Sequence, residues 1–357
     1  MKKIAFVLGN ISLGAGTERA VTNLANAFSK DENNQVFIVS INSEDKDKPY
    51  YPLEKGIKVI HMNAGKGNKV QRLLRYHGII SQLNKIMADN DIDYVLGTTH
   101  AFNILLSFLK GKVRKIGCEH MSYNACPKAS QIIRKNRYKH LDAVVLLTQM
   151  DREHYDFLPS DKTFVIPNIR SFQPDKPAVL DNKRIITVGR LDSQKGYDIL
   201  VELAPDLKER IPDWKIDIYG SGAMKQQLED RIRELGIQDF VFINEPVKGI
   251  REEFEKSSMY LMTSRFEGLP MVLLEAQACG LPIVSFNCPE GPADVINDGE
   301  DGYLIDDFNK EELVDKTARI ALDEQLRKKM GANAFKRSDR FSEESILKKW
   351  YSCFEKC

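Results

Sequence analysis

The sequence predicts an α/β protein of two successive domains, each a parallel sheet covered by helices, and three observations carry that prediction. Short apolar runs alternate with helix-like segments along the chain, the order that builds parallel sheets from βαβ units. The 357 residues are enough for two domains of ordinary size, each with its own core. The stretch from Met259 to Pro292 reads by itself as strand, tight turn, helix, strand and loop: MYLMTS is apolar, EGLP breaks it, MVLLEAQAC is helix-forming, Gly280 closes that helix, and LPIVSF is a second buried-type strand. Such units carry ligands at the carboxyl ends of their strands, where the next helix turns its N-terminal amides toward an anion.

Composition narrows the function classes. Charged residues make up 29% and hydrophobic residues 42%, ordinary for a globular chain and contrary to long disorder. No apolar run reaches the roughly 18 residues that a membrane-spanning helix needs. The opening KKIAFVLG is too short for the apolar core of a signal peptide, and Gly9 and Asn10 end it as a strand, so a cytoplasmic location is expected. Cys118, Cys126, Cys279, Cys288, Cys353 and Cys357 form no CxxC pair and show no zinc spacing, so reduced thiols are expected; Cys353 and Cys357 share a helix face by chance rather than as a metal site. The net charge of +1 hides an asymmetry: residues 1–167 hold 24 Lys and Arg against 16 Asp and Glu, leaving 28 against 35 of the chain's 52 and 51 for the remainder. A basic first half suits a lipid phosphate or an anionic membrane leaflet, although a solvated lysine-rich surface has the same composition.

In chain order, KIAFVLG is a strand, Asn10–Thr17 a loop holding Gly14 and Gly16, and ERAVTNLANAFSK a helix, the opening of a nucleotide-binding domain. The loop does not complete GxGxxG, and no acid ends the next strand, VFIVSIN, where a dinucleotide ribose would need one; a nicotinamide-dependent oxidoreductase is disfavoured. Val70, Leu73, Leu74, Ile80, Leu83 and Met87 form one helical stripe, with Lys66, Lys69, Arg72 and Arg75 clustered at its start. That cluster reads as surface charge, or as a contact for an acceptor phosphate or lipid headgroups. Asp91 and Asp93 precede a strand instead of ending one, and Asp45 and Asp47 sit in a charged loop, so no metal is expected. KIGCEHMSYN ends a strand at Glu119 and His120, and DIDYVLGTTH ends one near His100; His120 is the candidate functional histidine and His100 the alternative. KASQIIRKNRYKH and LDAVVLLTQMDREHY read as helix, strand and helix with Thr148 at the start of the last. TFVIPN then leads to RSFQPDKPAVLDNK, the expected linker. Beyond it, RIITVGRL is a strand and DSQKGYDILVELAPDLKERI a helix, so Arg190 and Lys195 flank a strand-to-helix turn suited to a diphosphate. In the tail FSEESILKKWYSCFEKC, Ile346, Trp350 and Phe354 share a helical stripe.

Glu275 and Gln277 are the only polar side chains in an apolar helix, and an unpaired buried carboxylate is costly. Glu267 lies eight residues earlier, before the helix, which at about 1.5 Å per helical residue puts the two carboxylates roughly 8 to 12 Å apart. That separation suits two ends of one long ligand. A capping Glu267 and a Glu275 satisfied by a lysine is the alternative on the helix alone.

The segment RFEGLPMVLLEAQACGLPIV resembles the glutamate, seven residues, glutamate signature of the retaining glycosyltransferases of family 4. The resemblance implies the GT-B fold, two Rossmann-like domains facing a deep interdomain cleft: residues 1–167 binding the acceptor and rejoined by the final helix 341–357, and residues 168–340 binding the nucleotide sugar. It implies that Glu267 contacts the donor sugar and Glu275 the ribose. GRLDSQKG resembles the element whose arginine and lysine hold the β-phosphate, here Arg190 and Lys195. GAGTER resembles the loop whose small residues, here Gly14 and Gly16, admit the diphosphate; His120 would lie near the sugar and acceptor. Gly268, Leu269, Pro270 and the backbone at Val247 and Lys248 complete the donor site, although Glu245 and Pro246 stand where many relatives have glycine, and the CPEGP loop would line the sugar pocket. The implied function is a metal-independent, retaining transfer of a hexose or N-acetylhexosamine from a UDP-sugar to a hydroxyl of a glycan or lipid-linked acceptor in cell-envelope polysaccharide synthesis. It needs no cofactor and no nucleic acid, and it expects peripheral contact with the anionic inner membrane. A nucleotide-sugar epimerase or phosphorylase of the same architecture, and a noncatalytic nucleotide-sugar-binding subunit, are the alternatives.

Overall fold

Buried apolar strands alternating with helices that bury one face give two all-parallel sheets. The computed structural model describes residues 1–64, 69–124 and 126–357, with 69–74 as helical backbone. It forms two compact units, residues 1–169 with 343–357 and residues 170–342.

The first unit runs β1 (Lys2–Leu8), α1 (Gly16–Ser29), β2 (Asn34–Ser40), β3 (Lys58–His61), α2 (Lys69–Asp89), β4 (Tyr94–Gly97), α3 (His100–Leu106), β5 (Arg114–Cys118), α4 (Lys128–Arg137), β6 (Ala143–Leu146), α5 (Gln149–Glu153) and β7 (Thr163–Val165). Its seven strands lie in the order β3-β2-β1-β4-β5-β6-β7. Because side chains alternate along a strand, β1 sends Ile4, Phe6 and Leu8 into one core and Ala5 and Val7 into another. The first core takes Val21, Leu24 and Phe28 of α1, and the second Leu83 and Met87 of α2 with Leu105 and Leu106 of α3. β1 pairs in parallel with β2 on one side and β4 on the other, Ile4 opposite both Val36 and Tyr94. The strand order reverses there, and the loops after β1 and β4 diverge to opposite faces, which is where open α/β sheets leave a crevice.

The second unit runs β8 (Arg184–Val188), α6 (Tyr197–Arg210), β9 (Lys215–Tyr219), α7 (Lys225–Glu234), β10 (Val241–Asn244), α8 (Ile250–Glu255), β11 (Met259–Met262), α9 (Met271–Ala278), β12 (Ile283–Phe286), α10 (Pro292–Val295), β13 (Gly302–Ile305), α11 (Lys310–Leu322) and α12 (Glu324–Arg337). Its sheet has the order β10-β9-β8-β11-β12-β13, so β8 and β11 flank the reversal. α13 (Glu343–Lys356) returns to the first unit. Its buried stripe of Ile346, Trp350 and Phe354 lies against α1, with the Phe28 and Phe354 rings stacked at 5.6 Å.

One expectation needs correction, and another falls largely outside the described residues. Residues 170–183 are not a free linker: Ala178 N donates to Cys279 O at 2.8 Å, Leu180 is buried, and Arg327 Nε donates to Leu180 O at 3.0 Å, because Leu180 has an apolar site on the second unit to fill. Of the cations at the start of α2, Lys66 lies outside the described residues, as do the side chains of Lys69 and Arg72. Arg75 donates to Asn42 Oδ1 at 2.9 Å, a contact within the unit. Among the described residues no helix is long and apolar enough to cross a membrane.

Candidate active site

At the reversal of the second sheet, the loops that leave β8 and β11 are laced together. After β8 the chain makes a short 3-10 turn over Ser193–Lys195, capped by Asp192, whose Oδ1 accepts from Lys195 N at 3.3 Å. Gly196 then takes φ +66, and a Cβ there would stand 2.0 Å from Thr263 O at the end of β11. Thr263 Oγ1 closes the contact by donating to Gly196 O at 2.9 Å. Glycine is required both by the left-handed backbone and by this approach. Gly196→Ala is expected to lower stability by about 2 kcal/mol or more, read as a lower urea midpoint, and to lower activity as well, because Lys195 precedes it.

That approach brings Lys195 Nζ to 2.7 Å from Glu267 Oε1, with side chains only 16% and 6% exposed. Arg265 secures the same pair of loops: it donates to Ser193 O at 2.7 Å and forks onto Asp198 at 2.8 and 2.6 Å, and its hydrogen bonds hold the Asp198 carboxyl below the usual range. Gln194 adds a third tie through Phe266 O at 3.1 Å. Arg190 Nη2 donates to Gln194 Oε1 at 2.9 Å and lies 3.2 Å from Asp192, and its side chain is 67% exposed. It stands as an open cation at the rim, while Lys195 is the enclosed one.

Beyond Glu267 the chain enters α9 through Gly268, the buried Leu269 and Pro270, the N-cap. Gly268 O lies 2.0 Å from where a Cβ of Gly291 (φ +94) would be, so the CPEGP loop seats directly on the turn, with Glu290 buried beside it at φ +65. Glu275 is fully buried in α9. Val247, 43% exposed, follows β10, the strand two places from β8 in the sheet.

The remaining candidates belong to the first unit. The flanking loop of residues 47–54 folds onto the β1–α1 loop: a Cβ on Gly14 would meet the Tyr50 ring at 2.7 Å, and Tyr51 Oη donates to Gly14 O at 3.0 Å. Gly14 is therefore needed by Tyr50 within the unit, whereas a Cβ on Gly16 would meet nothing within 4 Å. His120 follows β5; its Nδ1 is buried without a hydrogen-bond partner among the described residues. Burial holds the ring down to about 4, so it is neutral near pH 7. His100 begins α3, its Nδ1 3.4 Å from Cys126 Sγ. Native protein is expected to show no ionisation of His120 in its kcat/KM profile between about pH 6 and pH 8, and His120→Asn to leave that stretch of the profile unchanged in shape.

Sequence reasoning missed the cluster beneath His120. Glu119, 2% exposed, accepts from Asn103 Nδ2 at 3.0 Å and from Tyr138 Oη, and lies 3.7 Å from Nη1 of the fully buried Arg134. Arg134 donates to Tyr155 Oη at 2.7 Å and to Tyr123 O at 3.2 Å. Burial pushes the Glu119 carboxyl up to about 7, with Arg134 and the hydrogen bonds pulling back. Asn103 reaches it by lying across β4 and β5, where a Cβ on Gly97 would stand 2.3 Å from its Oδ1 and one on Gly117 3.1 Å from its Cγ. The one available signal was the acid beside His120 at a strand end.

An ammonium and a carboxylate held together at the reversal of a parallel sheet, with an exposed guanidinium on the same loop, are equipped to meet a phosphate and a polyhydroxylated group at once. Comparison with known proteins identifies the family. Residues 168–337 match the family described as Glycosyl transferases group 1. The chain is 31% identical over 359 residues to the amylovoran biosynthesis glycosyltransferase AmsD of Erwinia amylovora, covering 98% of this chain and 99% of that one. It is 27% identical over 363 residues, 98% and 97% of the two chains, to a Campylobacter jejuni alpha-1,4-N-acetyl-D-galactosaminyltransferase whose name includes a glycan on PP-undecaprenol. In structure it resembles TarM of S. aureus, solved with UDP and alpha-GlcNAc-glycerol, with a TM-score of 0.81 at 15% identity over 99% of this chain and 100% of that one. The chain belongs to the Glycosyl transferases group 1 family. It is a glycosyltransferase with the GT-B fold, whose two Rossmann-like α/β units are described above.

Proposed function

We propose that this glycosyltransferase is a retaining enzyme of the family 4 type that moves a hexose or N-acetylhexosamine from a UDP-sugar to a hydroxyl of a glycan or lipid-linked acceptor in cell-envelope polysaccharide synthesis. The observation that carries the reading is the 2.7 Å pairing of Lys195 with Glu267 across the ends of β8 and β11. Breaking the bond between the sugar carbon and the donor phosphate leaves negative charge on the diphosphate and positive charge on the sugar. Lys195 and the open Arg190 stabilise the first charge. Glu267 accepts from the sugar hydroxyls and Glu275 from the ribose. With no second carboxylate assigned as a nucleophile, the acceptor hydroxyl attacks on the face the diphosphate leaves, and a donor phosphate oxygen takes its proton; no metal is required in this scheme. His120, neutral at pH 7, serves the sugar and acceptor side.

UDP as the nucleotude's identity is supported by its presence in the TarM complex, a glycan acceptor by the amylovoran relative, and a lipid-linked one by the relative named for PP-undecaprenol. An acceptor of that kind places the enzyme in peripheral contact with the cytoplasmic face of the membrane. The test is UDP release from a panel of UDP-hexoses in EDTA, comparing the native protein with Glu267→Ala and Arg190→Ala. Slow release from one donor, reduced in both variants, is expected. Donor binding without release, even with acceptors added, would instead indicate a noncatalytic nucleotide-sugar-binding subunit.

A further inference from the structure

We propose that Cys357 and Cys353, at the end of α13, are an oxidation site at which a hydroperoxide converts the two thiols to one disulfide. All six cysteines are free thiols; five are buried and Cys357 alone is half-buried. Its Sγ lies 4.0 Å from that of Cys353, which is fully buried. The pair therefore offers one thiol to a reagent in solvent and holds a second directly behind it, the arrangement of an attacking and a resolving thiol.

The surroundings favour attack by Cys357. The Cys353 thiol donates toward it and holds the Cys357 thiol below its ordinary range, with Arg114 and Lys162 adding to this against burial and Asp142. Asp142 is itself engaged, accepting from Lys115 N at 2.7 Å and lying 4.0 Å from Arg114 Nη1. The same sulfur contact pushes the Cys353 thiol up, so it keeps its proton until the second step. The geometry permits closure. Helix positions four apart hold their Cβ atoms about 5–6 Å apart, wider than the roughly 3.5–4.5 Å of a disulfide. Cys357 follows Lys356, the last residue of α13, so it can turn inward without unwinding the helix.

In the first step the Cys357 thiolate attacks one peroxide oxygen and the O–O bond breaks; the alcohol or water that leaves takes a proton from solvent, and Cys357 becomes a sulfenic acid. Cys353 then attacks the Cys357 sulfur, forming the S–S bond, and its proton leaves with the expelled hydroxide as water. Two electrons pass from the thiols to the peroxide, and a dithiol reductant returns them. The pair lies at the amino edge of the first sheet, where the ring of Tyr94, the first residue of β4, stacks on Phe354 at 4.3 Å. Gly14 and His120 belong to the opposite, carboxyl edge, so this site is independent of the donor chemistry proposed above.

The experiment treats the reduced full chain at pH 7 with equimolar hydrogen peroxide, blocks the remaining thiols with iodoacetamide, and maps the tryptic peptides by mass. Of the six thiols four are expected to remain, with peptide 350–356 recovered joined to Cys357 through a disulfide that dithiothreitol opens. Cys357→Ser is expected to slow the loss of thiols by about tenfold or more. Cys353→Ser, or Cys353→Ala should serine not be tolerated in the core, is expected to stop at a sulfenic acid on Cys357 that dimedone traps. Retention of all six thiols, oxidation that begins at Cys118, Cys126, Cys279 or Cys288, a disulfide between two chains, or thiol loss as fast in Cys357→Ser as in native protein would each overturn the proposal. Native protein and Cys357→Ser decide it by themselves if neither Cys353 variant folds.

Discussion

Replacing Lys195 by alanine is expected to reduce donor turnover by about 100- to 1000-fold, the usual cost of losing one well-placed stabiliser of a developing anion. The reason is its enclosure: the ammonium is 16% exposed and held 2.7 Å from Glu267, so little solvent screens it from a diphosphate beside it. Arg190→Ala should cost less, because that side chain is 67% exposed and water can take part of its place. Lys195→Ala also leaves Glu267, 6% exposed, without its cation, and a stability loss of about 1 to 3 kcal/mol is expected. The double variant Lys195→Met/Glu267→Gln removes both charges and should regain most of that stability while remaining inactive. Chemical denaturation alongside UDP release distinguishes the two effects. Turnover that returns with the stability would show the pair to be a structural tie alone.

The largest effect on stability is expected at Arg134→Met, about 3 to 5 kcal/mol at pH 8, because it strips the buried Glu119 of its counter-ion and the carboxyl must then either stay charged without a partner or take up a proton from solution. Glu119→Gln/Arg134→Met should recover most of that loss, since a neutral pair carries no comparable desolvation cost. The same carboxyl gives the native protein a pH signature. Glu119 holds its proton up to about 7 in the fold, against 4.5 in an ordinary setting. Between those values the unfolded chain has released a proton that the folded chain keeps, so this group's contribution to stability falls as pH rises from about 4.5 to about 7 and is level above that. Denaturant midpoints for native and Glu119→Gln protein across this range should differ by that slope; parallel curves would remove Glu119 as its source.

Much of this architecture was legible because the information was local. Apolar runs such as KIAFVLG and LPIVSF, and helices with their stops at Gly280 and similar points, are set by side chains a few residues apart, and alternation of the two elements dictates parallel sheets. The signature from Glu267 to Glu275 was visible for the same reason, being one turn and one helix. The reading of residues 170–183 as a linker failed because proline and polar composition says nothing of where Leu180 will bury. The glycine at position 14 was legible as a small residue, but the Tyr50 ring that requires it arrives from a different loop.

The sequence by itself determined the class of fold, the chemistry available in the Glu267–Glu275 segment, and the basic character of the first half. Only the tertiary structure decided which charges meet. Lys195 and Glu267 are 72 residues apart and become neighbours because β8 and β11 are adjacent at the reversal of the sheet. Asn103, Glu119 and the pair Arg134 and Tyr138 converge from three different segments, and the same convergence turns Ile132 and Ile133 outward. A side chain's neighbours along the chain follow from helix and strand geometry, whereas its neighbours across the chain depend on strand order and close backbone approach, such as that of Gly196 to Thr263.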